Sequence, residues 1–317
     1  MKDVVVDQGS LGKFEHPEVT ANGDARATVP LSHPETLWFN TGTLCNITCV
    51  NCYIESSPSN DRLVYITTDE VRDYLDQIET RKWPIREIAF TGGEPFMNPE
   101  MNDMARASLE RGYDVLILTN AMRPMMRKSV RAGLEALYAE FGNKLTLRIS
   151  LDHWSDAMHN DMRGKDAFQH TLDGMAWLRD TGIRMAVAGR TIWNETDAEA
   201  RTNYAALFAK HKFDIDAFNP GMTVLFPEMD ETVDVPEITT QCWSILNKSP
   251  NDVMCASSRM VVKRKGAAKP AVLACTLLPY CAEFELGETL QEAERDVALN
   301  HPHCAKFCVL GGASCSA

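Results

Sequence analysis

The sequence predicts an α/β fold, with a parallel sheet curved into a partial (β/α)6 TIM-like barrel and a small cysteine-rich domain after it. Two observations support this prediction. From Thr36 to about residue 220, short β-rich runs alternate with amphipathic helical patterns, and this alternation gives right-handed βαβ units and a parallel sheet. After about residue 235 the alternation stops and cysteines accumulate, which indicates a second, smaller unit.

Four apolar runs predict buried strands, because near-continuous apolar runs are typical of parallel sheets that are covered on both faces. These runs are Glu87–Thr91, Val115–Thr119, Leu145–Leu151 and Met185–Ala188. With the flanking patterns we expect six βα units, the last of them ending near residues 216–220. In such sheets the reactive groups gather at the carboxyl ends of the strands.

Four helical stripes lie between these runs and are typical of core packing. They are Val71, Leu75 and Ile78; Val130, Leu134, Leu137 and Phe141; Phe168, Leu172 and Met175; and Tyr204, Leu207 and Phe208. A helix-start signal at residues 67–70 precedes the first stripe, and a helix-stop signal at Gly142–Asn143 follows the second. We assign no chemistry to these residues.

The chain divides into three predicted parts. Residues 1–34 have weak periodicity and are interpreted as an extension that folds over the domain or stays mobile. Residues 35–235 form the barrel, and residues 236–317 form the cysteine-rich domain, which has little helix signal before residues 290–297. Acidic residues and prolines from Glu228 to Pro236 mark the linker.

The composition disfavours several partners. A net charge of −12 over 317 residues argues against nucleic acid, which requires clustered Lys and Arg, and the basic run Lys263–Lys265 is typical of a solvated turn. No apolar run reaches the length that spans a bilayer, and Met1–Asp7 is unlike a signal peptide. Ten cysteines without such a signal indicate a reducing, cytoplasmic location, where grouped thiols tend to bind metal.

Three cysteines, Cys45, Cys49 and Cys52, form a CxxxCxxC spacing. A zinc site usually needs a fourth Cys or His close by, and residues 45–52 offer none. A disulfide is disfavoured in a reducing compartment. The spacing therefore fits an iron–sulfur cluster best, and three thiolates around a cubane leave its fourth iron open to a second molecule.

The segment Thr91-Gly92-Gly93-Glu94-Pro95 follows a predicted strand about forty residues after these cysteines. On its own, a glycine pair after a strand is typical of a tight turn. Beside a cluster motif it has a second explanation, because glycine lets a backbone carbonyl approach a ligand closely. Together the two motifs resemble the radical S-adenosylmethionine (SAM) superfamily, in which the open iron chelates SAM and an electron splits it to a 5′-deoxyadenosyl radical.

This resemblance implies a SAM-binding [4Fe–4S] cluster, SAM itself, and roles for residues of both motifs. Tyr53 matches the aromatic residue that usually follows the third cysteine in the superfamily. At this strand end, the backbone of Gly92 and Gly93 would contact the amino group of SAM. The carboxylate of Glu94 would hold that cationic amine or orient the loop.

Residues 147–152, followed by His159 and Arg163, resemble a stretch of the radical SAM subgroup that carries C-terminal auxiliary clusters. In that subgroup a strand Ser and the Arg contact the carboxylate or ribose of SAM, which implies these roles for Ser150 and Arg163; an Arg fork suits a carboxylate. The alternative is a structural salt-bridge network of Asp152, His159 and Arg163. For His159 we favour the structural role, because a lone His is a weak indicator of catalysis.

Two further polar residues follow predicted strands. Asn120 occupies the position of a Thr-Asn-Gly stretch that lies near the adenosine in the superfamily, with Ala121 in place of the usual Gly. An Asn after a strand is otherwise a common turn residue. Arg190 follows the fifth strand, where the resemblance places contacts to adenosine or substrate. No catalytic acid or base is assigned.

Six cysteines in the C-terminal part provide a second metal signal: Cys255, Cys275, Cys281, Cys304, Cys308 and Cys315. The hairpin-like arrangement of Cys255, Gly266 and Cys275 resembles the opening of a SPASM domain or of the shorter twitch domain, although the set lacks the CxxC pair of the SPASM pattern. Four thiolates close a [4Fe–4S] cluster, so we expect one twitch-like auxiliary cluster. Zinc is the alternative, with His301 and His303 as further ligands, and Cys242 is expected to be a structural thiol.

The resemblance implies a radical SAM enzyme that abstracts hydrogen from a small-molecule or peptide substrate, with the auxiliary cluster assisting electron transfer. The implied partners are that substrate and a reductant such as flavodoxin or ferredoxin. Residues 1–34 are too short for a peptide-recognition winged helix, which favours a small molecule or a peptide presented by a separate partner. The alternative class is a non-catalytic iron–sulfur protein that serves electron transfer or redox sensing.

Overall fold

A nine-stranded sheet organises the computed structural model, which describes residues 11–228 and 230–311. Two strands, β1 (Thr28–Val29) and β11 (Val297–Ala298), form a separate two-stranded sheet. The nine strands of the large sheet are β2 (Thr36–Asn40), β3 (Glu87–Thr91), β4 (Asp114–Thr119), β5 (Leu145–Ser150), β6 (Arg184–Arg190), β7 (Thr223–Phe226), β8 (Ser258–Val262), β9 (Ala271–Leu273) and β10 (Glu285–Gly287). The α-helices are α1 (Thr68–Arg81), α2 (Met101–Glu110), α3 (Lys128–Phe141), α4 (Asp156–Arg163), α5 (Ala167–Thr181), α6 (Asp197–His211) and α7 (Cys242–Ile245), and a π-helix spans Cys304–Leu310.

Strands β2 to β7 lie side by side in sequence order, and each neighbouring pair is parallel. For example, Leu37 of β2 is opposite Ile88 of β3, and Ile149 of β5 is opposite Val187 of β6. At least one helix connects each successive pair, from α1 between β2 and β3 to α6 between β6 and β7. The predicted α/β class with a parallel (β/α)6 unit is therefore confirmed.

Side-chain capping marks the starts of two of the four helices that the stripes predict. At α1, the Thr67 hydroxyl accepts from the N–H of Glu70 (3.3 Å), and the Glu70 carboxylate accepts from the N–H of Thr67 (2.9 Å). This capping box satisfies two donors that the first turn cannot pair. Thr196 and Glu199 form the same box at α6. The predicted stripe of α1 is buried, as expected for a face that packs on the sheet.

Three short segments differ from the sequence-based prediction. Helices α2 and α4, of 10 and 8 residues, are not predicted. The helix signal at residues 290–297 yields only a three-residue 3-10 turn at Glu292–Glu294. Segments this short form helices only where tertiary packing supports them, and periodicity within the segment does not report that packing.

The cysteine-rich part continues the barrel sheet. Strand β8 pairs in parallel with β2 on the free edge of the barrel, where Arg259 is opposite Leu37. Strands β9 and β10 then extend the same sheet in antiparallel fashion. The division of the chain at residue 235 stays a prediction, since one sheet includes strands from both sides of it.

The described part of the N-terminal extension packs against the C-terminal part. Strand β1 pairs with β11, and the Arg26 guanidinium lies 2.5 Å from the Glu237 carboxylate, with both side chains buried. Residues 11–34 thus fold over the domain, while residues 1–10 lie outside the described residues.

The carboxyl ends of the parallel strands meet at one edge of the sheet, where the apolar core gives way to polar side chains. Thr91, Thr119 and Ser150 end β3, β4 and β5 at this edge. This is where the site is expected in an α/β barrel. In the part of the chain that the structure describes, no helix combines the length and apolarity needed to cross a bilayer.

Candidate functional site

A cavity opens at the carboxyl ends of the parallel strands and is lined by Cys45, Cys49 and Cys52. Five more residues with predicted roles line the same cavity: Gly92, Gly93, Asn120, Ser150 and Arg163. They come from the ends of β3, β4 and β5 and from α4. The fold therefore brings the two sequence motifs and the Ser–Arg stretch to one place.

The three thiols are carried by an irregular segment, residues 45–57, which we call the cysteine loop. Its two ends are joined by a hydrogen bond from the N–H of Cys45 to the carbonyl of Ser57 (3.0 Å). Its middle is tied to α4 by a bond from the N–H of Val50 to the carbonyl of Met162 (2.8 Å). These bonds hold the loop over the strand ends.

Gly92 and Gly93 pack directly against the chain that leads into the cysteine loop. The N–H of Gly93 donates to the carbonyl of Gly42 (2.8 Å). A Cβ at Gly92 would lie 2.6 Å from the Gly42 oxygen, and a Cβ at Gly93 would lie 2.3 Å from the Leu44 oxygen. Both distances are too short for a side chain, so each glycine is required by this close backbone approach. The two sequence motifs thus hold each other in place.

Glu94 orients the neighbouring loop and does not line the cavity. Its carboxylate is 2% exposed and accepts from the Thr119 hydroxyl (2.8 Å), the N–H of Asn120 (2.8 Å) and the N–H of Phe96 (3.2 Å). Burial raises the pKa of Glu94 to about 7, although these bonds oppose the rise. Of the two predicted roles, the structure supports loop orientation, and direct contact with the SAM amine is not what this geometry shows.

Asn120 faces the cavity from the end of β4. Its side-chain amide donates to Oδ1 of Asn46 (2.9 Å), between the first and second cysteines. The next residue, Ala121, has a φ of 58°, which is the left-handed region that glycine adopts most easily. This conformation explains why a Gly is usual at the position in proteins with the Thr-Asn-Gly stretch.

Asp152 holds two arginines at the cavity wall. Arg163 binds it through both carboxylate oxygens, with Nε 2.7 Å from Oδ2 and Nη2 3.0 Å from Oδ1. Nε of Arg190 lies 3.4 Å from Oδ1 of the same carboxylate. Burial acts to raise the pKa of Asp152, but the two guanidinium groups hold it below its ordinary value. All three residues line the cavity, and Asp152 was not predicted as a cofactor-binding residue.

His159 makes no hydrogen bond to this network, so of the predicted alternative of Asp152, His159 and Arg163 the Asp152–Arg163 salt bridge is present and the part of His159 is corrected. Both of its ring nitrogens are buried without a hydrogen-bond partner among the described residues. The ring packs edge-on against Phe168, with centroids 5.7 Å apart. Burial lowers the pKa of His159 to about 3, so the imidazole is neutral at physiological pH.

Burial also controls the thiols of the cysteine loop. It raises the pKa of Cys45 to about 12 and raises that of Cys49 as well. A metal binds the thiolate rather than the thiol, so loading the site must release protons. The three thiols therefore fit a metal centre that binds sulfur strongly enough to displace their protons.

A second cavity lies in the C-terminal part and is lined by Cys255, Cys275, Cys304 and Cys308. Most of its other lining residues are apolar, namely Val253, Met254, Leu277, Leu278, Phe284, Val297 and Leu299. Cys304 and Cys308 lie four residues apart in the π-helix. Of the other predicted ligands, Cys281 is half-buried outside this lining, and Cys315 lies outside the described residues. The nine described cysteines form no disulfide.

Arg259 lies beside this second cavity with 1% of its surface exposed. Its guanidinium donates to the carbonyl oxygens of Cys255 (2.5 Å), Ser258 (2.9 Å) and Ala293 (2.9 Å). Burial lowers the pKa of Arg259 to about 10, and proximity to the Cys255 and Cys275 sulfurs opposes this shift. The described hydrogen bonds of the Arg259 guanidinium go to neutral carbonyl groups. Negative charge on the two sulfurs would therefore stabilise this buried cation.

His301 and His303 face Glu231, with their Nε2 atoms 3.7 and 3.3 Å from its carboxylate. Burial lowers the pKa of His301 from its ordinary value, and the nearby carboxylates of Glu231 and Glu283 oppose this shift. The N–H of His303 donates to Nδ1 of His301 (3.1 Å), which places the proton on Nε2. Glu231, His301 and His303 bring their ligand atoms within 4.8 Å of one another, so the alternative in which the two histidines help to bind zinc stays a prediction.

The described cysteines do not form a compact group of three ligands for a single metal ion. A tetrahedral zinc ion holds its thiolates about 3.8 Å apart, given a Zn–S bond of about 2.3 Å. In the described chain, the one group of three potential ligands within 4.8 Å of one another is Glu231, His301 and His303, and it contains no cysteine. A [4Fe–4S] cubane offers four irons, and each of them takes one thiolate.

The two cavities share a wall. Leu277 lines both of them, and Phe307 of the π-helix lines the first, whereas Cys304 and Cys308 of the same helix line the second. Phe307 stacks on Phe226 at the end of β7, with ring centroids 5.6 Å apart. Sequence reasoning missed these apolar residues, because isolated Phe and Leu residues in remote segments carry no functional signal before the chain folds.

A family model described as the radical SAM superfamily matches residues 39–203, which is more than half of the 317-residue chain. The chain belongs to the radical SAM superfamily. The prediction of this superfamily of enzymes from the CxxxCxxC and Gly-Gly-Glu motifs is confirmed. The matched range contains the cysteine loop and ends before the second cavity begins.

Two curated relatives each match a part of the chain. The antilisterial bacteriocin subtilosin biosynthesis protein AlbA of Bacillus subtilis is 28% identical over 217 residues, which is 67% of this chain and 45% of AlbA. The AdoMet-dependent heme synthase of Methanosarcina barkeri is 30% identical over 139 residues, 43% of this chain and 36% of that protein. The aligned region is less than half the length of either relative.

Solved structures show a similar fold over most of the chain. SuiB of Streptococcus suis, bound to the precursor peptide SuiA, matches 84% of this chain and 66% of its own with a TM-score of 0.59 at 13% identity. The enzyme anSMEcpe with bound AdoMet matches 82% of this chain and 77% of its own with a TM-score of 0.58 at 15% identity. At these identities the likeness shows the fold alone.

Proposed function

We propose that this chain cleaves SAM reductively at Cys45, Cys49 and Cys52 and abstracts a hydrogen atom from a substrate at the mouth of the barrel. The observation that carries the proposal is the convergence of these thiols with the predicted SAM-binding residues in one cavity. Membership in the radical SAM superfamily supports it.

The donor set fits a [4Fe–4S] cluster and SAM. Three thiols in one cavity can ligate three irons and leave the fourth for SAM. When bound, the cluster supplies the electron that splits SAM into methionine and a 5′-deoxyadenosyl radical. Cys45, Cys49 and Cys52 then have the role of holding the cluster at the strand ends, where the protein excludes competing reactants from the cavity.

The cavity wall would bind and orient SAM. Asp152 carries one negative charge between Arg163 and Arg190, so the wall keeps a net positive charge that favours the SAM carboxylate. Gly92 and Gly93 would contact its amino group through their backbone. Asn120 and Ser150, which line the same cavity, are proposed to contact the adenosine and the ribose or carboxylate.

The second cavity would hold an auxiliary [4Fe–4S] cluster on Cys255, Cys275, Cys304 and Cys308. Four thiols close such a cluster, and they line one largely apolar cavity next to the buried cation of Arg259. This assignment makes residues 35–235 the barrel and residues 236–317 an auxiliary-cluster domain of the SPASM or twitch kind. Cys281 lies outside this lining, and Cys315 lies outside the described residues.

The substrate would lie against the apolar wall of Phe226, Leu277 and Phe307, between the two metal centres. AlbA is a bacteriocin biosynthesis protein and SuiB binds a precursor peptide, while another relative is a heme synthase. A peptide side chain and a small molecule both suit this wall, provided that the group nearest to it is apolar. A reductant such as flavodoxin or ferredoxin would supply the electrons.

Product analysis tests the proposal. The chain is reconstituted with iron and sulfide under anaerobic conditions, mixed with SAM and dithionite, and analysed for 5′-deoxyadenosine. Wild type should form it, Cys49→Ala should form none, and Cys242→Ala should match wild type because Cys242 lies outside both cavities. An iron-loaded wild type that forms no 5′-deoxyadenosine would support the alternative of a non-catalytic iron–sulfur protein.

A further inference from the structure

We infer that Tyr280 is a positioning residue for the cysteine loop and holds, from the C-terminal part, the half of the loop that follows Cys52. The Tyr280 hydroxyl donates to the carbonyl of Ile54 (2.9 Å). Ile54 lies two residues after Cys52 and lines the barrel cavity. The inference rests on the proposed function in one respect, since the loop is held for the metal centre proposed there.

Most bonds of the second half of the cysteine loop go to neighbouring residues, and the carbonyl of Ile54 also accepts from the side-chain amide of Asn60 (3.5 Å). The N–H of Glu55 donates to the carbonyl of Cys52 (2.9 Å), and the N–H of Ser56 donates to the Cys52 sulfur (3.3 Å). Irregular loops that lack ties to other segments open readily. A bond from Tyr280, 226 residues further along the chain, therefore restricts the position of Cys52 through Ile54.

Tyr280 is itself held in place. The Arg62 guanidinium lies over its ring, 3.5 Å from the centroid, and pairs with Glu55 of the loop (3.1 Å). Asn60 donates both to the Tyr280 hydroxyl (3.4 Å) and to the carbonyl of Glu55 (2.8 Å). Burial raises the pKa of Tyr280, so the hydroxyl stays protonated and remains a donor. The contact is thus a small network rather than one isolated bond.

The segment that carries Tyr280 starts at the second cavity. Cys275 and Leu277 line that cavity, and Leu277 lines the barrel cavity as well. The N–H of Leu277 donates to the Cys275 sulfur (3.3 Å). Because Tyr280 follows directly on this segment, the C-terminal part contributes to the reactive site through the shape of the cysteine loop, in addition to any metal that it holds.

Hydrogen–deuterium exchange over residues 52–57 tests this role in the metal-free and the reconstituted protein. Tyr280→Phe keeps the ring beneath Arg62 and removes only the hydroxyl. We expect exchange over these residues to be about fivefold faster, as for the loss of one tertiary hydrogen bond. In the reconstituted protein, a chelator should remove iron from the three-cysteine site faster by a similar factor.

Tyr74→Phe is the matched control. The Tyr74 hydroxyl also joins the barrel to the C-terminal part, through the carbonyl of Glu288 (2.7 Å), but it lies away from the cysteine loop. This variant should leave exchange over residues 52–57 at the wild-type rate. Both variants should unfold at similar denaturant concentrations, which separates a local effect from a global one.

Unchanged exchange over residues 52–57 in Tyr280→Phe would overturn the inference. Faster exchange that is equal in Tyr280→Phe and Tyr74→Phe would overturn it as well, because the effect would then be general. If wild type forms no 5′-deoxyadenosine while Tyr280→Phe alone exchanges faster, the positioning role stands and the proposed function fails.

Discussion

The two cysteine-lined cavities differ in how they balance buried charge. In the barrel cavity, Arg163 and Arg190 share the carboxylate of Asp152, so charged groups are paired and oriented before any ligand arrives. Beside the C-terminal cavity, the bonds described for the Arg259 guanidinium go to backbone carbonyls. The first arrangement suits a site that admits a charged molecule, and the second suits a site whose own thiolates complete the charge balance.

The number of thiols agrees with this difference. The three thiols that line the first cavity leave one metal position for an exchangeable ligand, whereas the four thiols that line the second leave none. The comparison therefore separates a reactive centre from a supporting one on chemical grounds. Substitutions in the two regions should therefore have different consequences.

Asp152→Asn should have the largest effect on stability, because it leaves two buried guanidinium groups without their carboxylate. We expect a loss of about 3–5 kcal/mol in the free energy of unfolding, measured by urea unfolding of the metal-free protein. Asp161→Asn, at an exposed position on the adjacent helix, should change it by less than about 0.5 kcal/mol. Equal, small losses in both variants would contradict the idea that paired charges organise the barrel cavity.

Glu94→Gln should destabilise the strand-end loop to a smaller extent. The carboxylate accepts from one hydroxyl and two N–H groups, and an amide offers fewer acceptors and brings its own donors. We expect a loss of about 1–3 kcal/mol in the free energy of unfolding, together with weaker SAM binding by the reconstituted protein. Normal stability with weakened SAM binding would instead point to direct contact between Glu94 and the SAM amine.

His159 should make stability depend on pH. Its pKa is about 3 in the folded chain against an ordinary value of 6.5, so between these values the unfolded chain binds a proton that the folded chain does not. Its contribution to stability is therefore complete above about pH 6.5 and falls as the pH drops toward 3; at pH 5 the loss is about 2 kcal/mol.

His159→Leu should remove this pH dependence, and His170→Gln, at an exposed position, should keep it. The measurement is the free energy of unfolding of the metal-free protein at pH 5 and pH 7.5. The same pH dependence in wild type and His159→Leu would show that the buried imidazole does not control it.

Arg259→Gln should have the smallest effect and should act on the C-terminal cavity alone. It removes the buried positive charge and keeps a donor for the carbonyls, so iron held by the four thiolates loses a favourable charge interaction. We expect a chelator to remove this iron about tenfold faster, equivalent to about 1.4 kcal/mol, with little change at the three-cysteine site. An equal effect at both sites would contradict the comparison.

Sequence alone predicted the parts of the fold and site that depend on local patterns. The strand at residues 87–91 appears at the predicted residues, because its apolar run and its following glycines are adjacent in the chain. The three cysteines of the loop are likewise found in one cavity, since their spacing limits them to one short segment.

The remaining features depend on contacts between distant segments. Nothing near Glu94 in the sequence reveals that its partners are Thr119 and Asn120. The six C-terminal cysteines look equivalent in sequence, and only the fold separates four that share a cavity from Cys281. Leu277 joins both cavities, a role that an isolated leucine does not signal.

Iron content per chain distinguishes two separate iron sites, one with three thiolate ligands and one with four, from a single site. Reconstituted wild type should hold about eight irons, and the Cys45/Cys49/Cys52→Ala variant should keep about four. The Cys255/Cys275/Cys304/Cys308→Ala variant should also keep about four. A Cys45/Cys49/Cys52→Ala variant that contains zinc and no iron, or a wild type with only about four irons, would contradict the presence of two iron sites.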